Sequence, residues 1–139
     1  MIMSRVSRSL LAVSAALLVF GGLVHASAFN NAAAAATSSN LPDFYKKVLQ
    51  AFWLMDSATL ILLAIVFGLV ALRPTVASRW VVVILALMPA STAALLYTFF
   101  GAFLPAHLLI AAATLAISSG LLRAEANYSF KRTADVGLR

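Results

Sequence analysis

The polar residues of this chain are confined to its ends and to a few short stretches, and the rest is apolar. Four long hydrophobic runs result, at about 6–28, 51–72, 80–103 and 105–122, each of 18–24 residues. A helix rises ~1.5 Å per residue, so ~20 residues cross a hydrocarbon core ~30 Å thick. Lipid offers no hydrogen bonds, so each run must satisfy its own backbone, which selects helices over open strands. The pattern predicts an all-α integral membrane protein, an up-down-up-down bundle of four transmembrane helices. It forms a single membrane domain over 1–139, with helices at about 6–28, 41–72, 80–103 and 105–123, an external loop at 29–40 and a cytoplasmic tail at 124–139.

The second helix is expected to start before its apolar run. In Asn40-Leu41-Pro42-Asp43, Asn40 can serve as N-cap, Pro42 suits the first turn, and Asp43 favours the positive end of the helix dipole. Asp43 can also meet Lys46 or Lys47 one turn on. Phe44, Tyr45, Phe52 and Trp53 mark the outer interface, where amphipathic aromatic rings settle. The segment before them, NNAAAAATSSN, reads as a loop or a short helix. In the third helix Pro89 leaves the Leu85 carbonyl without its helical donor and predicts a kink, with Ser91 and Thr92 available to the local backbone. Small residues recur at packing spacing: Ala64 with Gly68; Ala86, Ala90 and Ala94; Ala112, Ala116 and Gly120. They point to close helix contacts and to a central or oligomer-facing fourth helix.

Composition supports the membrane reading. The chain is 63% hydrophobic and 10% charged, with a mean hydropathy of +1.01, whereas soluble domains are ~45–50% apolar and ~25% charged. It has no cysteine, which excludes disulfides, thiolate metal sites and thiol nucleophiles. The net charge is +6, but the basic residues flank the apolar runs instead of forming one block, so nucleic acid is not an expected partner. Arg5, Arg8, Arg73, Arg79, Arg123, Lys131, Arg132 and Arg139 fall on one side, and Lys46 and Lys47 on the other. The positive-inside rule then places both termini in the cytoplasm of a multi-pass cell-membrane protein, with a bacterial inner membrane as the expected location. Lys131 and Arg132 can touch anionic lipid. The first run also fits a secretory signal: a basic MIMSRVSR, an apolar stretch and Ala26-Ser27-Ala28 as a cleavage site. Its apolar part exceeds the usual ~7–15 residues, which favours a retained helix.

The candidate chemistry is sparse. The chain has two histidines, His25 and His107, and one acid within an apolar run, Asp56. The topology puts all three on the external side at similar depth, from three different helices. Converging, they suit a divalent metal with an open position, or an ion or proton site in which imidazole and carboxylate exchange a proton, with Thr59 and Tyr97 as supporting polar groups. A b-type haem between His25 and His107 is a weaker fit. The bland alternative makes the histidines ordinary interface residues and Asp56 a helix-packing polar group, hydrogen-bonded to Ser57, Thr59 or Tyr97. No nucleophile elbow, phosphate loop, His-Glu-x-x-His or dinucleotide fingerprint is present.

In size and layout the chain is similar to small bacterial four-helix membrane families, the DoxX-like proteins among them, with no motif to carry the likeness further. No cofactor is predicted beyond that candidate metal. The expected function is a binding or accessory subunit, in a larger membrane complex or a homo-oligomer. The alternative is a small transporter or metal-dependent membrane enzyme built on His25, Asp56 and His107.

Overall fold

The computed structural model describes the backbone of residues 5–136 and the side chains of residues 5–122. Five helices follow one another: α1 (Arg5–Ser27), α2 (Phe29–Ser38), α3 (Asp43–Leu72), α4 (Arg79–Phe100) and α5 (Leu104–Val136). Among the described residues there is no strand. α1, α3, α4 and the Leu104–Leu122 part of α5 are each long and apolar enough to cross a membrane. The four spans lie where the apolar runs predict them.

Three local expectations are corrected. The connection at 29–40 contains α2, because a run of alanines has the highest helix propensity of any residue type. α3 is capped by Pro42 and not by Asn40, and it starts at Asp43, which pairs with Lys46 at 3.6 Å. The fixed φ of proline already suits a helix start, and Asp43 supplies the negative charge there. Finally, α5 runs on to Val136 instead of ending near 123, since neither glycine nor proline interrupts AEANYSFKRTADV. The expected lipid contacts of Lys131 and Arg132 fall outside the side chains described.

Hydrogen bonds between helices set their directions. Arg8 and His25, at opposite ends of α1, meet Ala71 and Ser57, at opposite ends of the span of α3, so these two helices are antiparallel. Ser7 meets Ser119 while Ser14 meets Ala112, so α1 and α5 are antiparallel as well. Tyr97 near the end of α4 meets His107 near the start of α5, which turns α4 back alongside α5. The bundle thus has a histidine end, with His25, Trp53, Tyr97 and His107, and an arginine end, with Arg8 and Arg79.

The lateral order differs from the order in sequence. α3 packs on α1, α1 on α5 and α5 on α4, whereas α3 and α4 meet only marginally. The helices form an open row, with α1 and α5 in the middle and α3 and α4 at its edges. Their packed faces follow alternating steps of four and three residues, as Val82, Ala86, Pro89 and Ala93 do on α4. A row of strict four-residue steps drifts off such a face. Ala86 is therefore buried, Ala90 half-buried and Ala94 exposed, whereas Ala112, Ala116 and Gly120 of α5 all stay buried. Pro89 is buried within an unbroken α4, and the Ser91 hydroxyl returns to the Met88 carbonyl at 2.9 Å.

Two glycines mark the closest helix approaches. A Cβ on Gly22 of α1 would lie 2.9 Å from Ile61 Cγ1 and 3.2 Å from the Ser57 carbonyl of α3. A Cβ on Gly120 of α5 would lie 2.7 Å from Val83 Cγ2 of α4. Between α1 and α5 the contact is polar and buried. Ser7 donates to the Ser119 carbonyl at 2.9 Å, Ser119 to the Ser7 carbonyl at 2.8 Å, and Ser14 to the Ala112 carbonyl at 2.8 Å. The seven-residue spacing of Ser7 and Ser14 matches that of Ala112 and Ser119 run backwards, so both bonds form in one register.

Candidate functional site

α3 brings Trp53, Asp56 and Ser57 to one face, because residues three and four apart in a helix are neighbours. α1 brings His25 to the same place, one turn beyond the close approach at Gly22. The His25 ring stacks on the Trp53 indole, with centroids 4.2 Å apart and planes 13° from parallel. The Ser57 hydroxyl lies 3.1 Å from the Trp53 carbonyl and 2.8 Å from His25 Nδ1. With one proton to give, it accepts from the ring when Nδ1 carries a hydrogen and donates to it when Nδ1 is bare. On the other side of the ring, Nε2 lies 3.8 Å from Asp56 Oδ2. That is an ion-pair distance when the imidazole carries both protons, and too long for a hydrogen bond. In that form both ring N–H groups face acceptors, and the cation sits over an indole face.

Trp53 also closes a helix end. Its indole N–H donates to the His25 carbonyl at 2.8 Å, one of the last carbonyls of α1, which the Ala28 N–H also reaches at 3.3 Å. The arginine end mirrors this arrangement. Arg8 of α1 donates from Nε to the Ala71 carbonyl at 2.8 Å, in the last turn of α3. A cation there also suits the negative end of the helix dipole. α1 and α3 therefore cap each other's C-termini.

Asp56 lies level with the last turn of α1, and its side chain is 40% exposed on the surface of the bundle.

His107 stands apart. Its Nδ1 lies 2.9 Å from the Phe103 carbonyl and 3.1 Å from the Tyr97 hydroxyl, and its ring is exposed. The carbonyl can only accept, so the ring donates to it. Among the described residues no three His, Asp or Glu side chains gather as metal ligands. His25 and Asp56 come together, and His107 pairs with Tyr97 on the other two helices. His25 and His107 lie on the neighbouring helices α1 and α5, but each turns to its outer neighbour, His25 to α3 and His107 to α4. Nor do the proposed supporting groups reach Asp56, since Thr59 returns its hydroxyl to the Met55 carbonyl at 2.8 Å and Tyr97 faces His107.

The contacts Ser57–His25–Asp56 share the order of a nucleophilic relay, but their geometry is that of a clamp. Ser57 is 4% exposed, held between the Trp53 carbonyl and the His25 ring. The surrounding α3 backbone N–H groups are engaged within the helix, so none converges to stabilise an oxyanion. Sequence reasoning found His25 and Asp56, named Ser57 only as a hydrogen-bond partner of Asp56 and Trp53 only as an interface residue, and missed the contacts of both with His25. The signal available was their spacing from Asp56 on one helix face.

Fold and site together define a multi-pass, all-helical membrane protein in which side-chain hydrogen bonds tie α1 to α3 and to α5, and α4 to α5. No family model matches the chain, and no curated protein or solved structure is significantly similar to it.

Proposed function

We propose that the chain is a non-enzymatic accessory subunit that binds within a larger membrane assembly, with both termini in the cytoplasm, in the inner membrane of a bacterium. One observation carries this reading. The polar groups of the histidine end are engaged in joining helices, whereas each of the four spans keeps a long face uncovered by the rest of the chain. A subunit that offers surfaces instead of a reactive cleft has this distribution. The orientation rests on the arginines at one end of the bundle. Purification of the tagged protein from its native membranes in mild detergent tests the proposal. A second membrane protein is expected to co-purify in fixed ratio, and Asp56→Asn is expected to leave that ratio unchanged. Recovery of this chain alone would overturn the accessory reading.

A second reading has support from one distance, the 3.8 Å between His25 and Asp56 with both side chains partly exposed. There the pair takes up and releases a proton or a cation at the membrane edge, as in a small transporter or metal-dependent enzyme. Proton or metal flux in reconstituted vesicles that Asp56→Asn abolishes would favour it.

A further inference from the structure

The contacts that join the helices also fix the level of each arginine at the arginine end. Arg8 meets the Ala71 carbonyl, and His25 meets Trp53 and Ser57, so α1 and α3 hold one antiparallel register along their overlap. Arg5, three residues before Arg8, then lies level with Pro74, three residues after Ala71 and next to Arg73. On the other side of α1, Ser7 faces Ser119 of α5. The next residue, Gly120, lies against the start of α4, where its Cβ would be 3.4 Å from the Arg79 carbonyl. Arg79 therefore stands level with the first turn of α1. Four arginines on three helices fall within one turn of a common level, about 5 Å along the bundle.

That level bounds an apolar slab. Arg5 and His25 are 20 residues apart on α1, and Arg73 and Trp53 are 20 apart on α3, about 30 Å of helix in each case. A hydrocarbon core has the same thickness, ~30 Å, with the headgroups just beyond it. Trp80, beside Arg79, is 58% exposed, and the Arg79 guanidinium lies 4.8 Å from its ring centre. Amphipathic rings settle at such a boundary. The arginines are thus set at the depth of a plane of phosphates.

The two ends of the bundle differ in charge. The histidine end balances Lys46 and Lys47 against Asp43 and Asp56, with Asp43 paired to Lys46 and Asp56 beside His25. Among the described residues no carboxylate lies within ion-pair distance of Arg5, Arg8, Arg73 or Arg79. Arg8 is the most constrained of the four. Its Nε is engaged by Ala71, which fixes the guanidinium at the seam of α1 and α3, while its two Nη groups have no partner among the described residues. A guanidinium held in this way presents N–H groups that match two oxygens of a phosphate. The sorting of charge across a membrane selects only a side. It requires neither a common level nor a guanidinium fixed in place.

We propose that the arginine end binds anionic phospholipid, with one headgroup phosphate held by Arg8, Arg5 and Arg73 at the seam of α1 and α3. A lipid surface fits this end better than an acidic protein does, because the cations are spread over three helices at one depth instead of gathered on one side. This inference goes beyond the accessory reading and does not rest on it: co-purification tests that reading, whereas the lipid site is tested on the purified chain alone.

The full chain is unfolded by heat in neutral detergent micelles that contain phosphatidylglycerol, phosphatidylcholine or neither. Inorganic phosphate and polyglutamate are added separately to the lipid-free sample. Phosphatidylglycerol is expected to raise the melting temperature by about 3–6 °C relative to phosphatidylcholine. The double variant Arg5→Gln with Arg73→Gln is expected to lose at least about half of that shift, and Lys46→Gln with Lys47→Gln to keep it. Arg5 and Arg73 are exposed, so their replacement leaves the interior intact, and each variant is referred to its own melting temperature in phosphatidylcholine. Equal shifts with the two lipids, an undiminished shift in the arginine variant or an equal loss in the lysine variant would each overturn the proposal. So would a shift of the same size from inorganic phosphate, which would mark a site for the free anion, or from polyglutamate, which would mark an acidic protein as the occupant.

Discussion

Gly22 decides how near α1 and α3 can come, and with that whether His25 reaches Ser57. A methyl there meets Ile61, Ser57 and Leu60 at 2.9–3.3 Å, and the Ser57 carbonyl belongs to a helix backbone that cannot yield. Gly22→Ala is expected to lower stability by about 1–3 kcal/mol, the usual cost of overpacking. Its neighbour supplies the control, because a Cβ on Gly21 meets nothing within 4 Å. Gly21→Ala is expected to be neutral or to gain up to about 0.5–1 kcal/mol, since alanine loses less backbone freedom in a helix. Thermal unfolding of both variants in detergent separates them; equal effects would count against a close approach at Gly22. The sequence identified His25 and Asp56 by rarity alone, as one of two histidines and the one acid within an apolar run. Trp53 and Ser57 stayed hidden because a tryptophan near a helix end and a serine in a span are common and have ordinary local uses. Only their neighbour on another helix makes them a clamp.

Among the elements, α1 carries the sharpest tension between sequence and structure. Its basic start, apolar middle and Ala26-Ser27-Ala28 fit a signal that is cut away. Yet it is the helix that joins α3 to α5, and it buries Ser7, Leu11, Ser14, Leu18 and Gly22 in doing so. Without it the Ser119 and Ala112 carbonyls lose their serine donors and the Trp53 indole loses its acceptor. The intact mass of the protein from its native membrane is expected to include α1; a mature chain beginning at Phe29 would refute this. The number and length of the spans were legible because the bilayer imposes one length on every span. Lateral order was not. A span that is apolar all round gives hydrophobic periodicity nothing to report, and the packed faces are set by small residues and serines whose counterparts lie on other helices. α2 was open to either reading, since five alanines can form a helix or a loop and its partner, Gln50, is thirteen residues from Thr37.

For the whole molecule, the test of orientation follows from the lack of cysteine. Asn31 on α2 and Thr75 in the turn between α3 and α4 are both exposed, at opposite ends of the bundle. On intact cells, a membrane-impermeant maleimide is expected to label Asn31→Cys and to spare Thr75→Cys; the reverse pattern would invert the topology. The open row has a further consequence, for the order in which the protein is made. α1 and α3 leave the ribosome early and can fasten at once through Trp53 and Arg8. Ser14 has to wait for Ala112, 98 residues later in the chain, and Ser7 for Ser119. The bundle thus divides into two hairpins, α1–α3 and α4–α5, and the serine bonds between α1 and α5 join the halves across the longest separations in the chain.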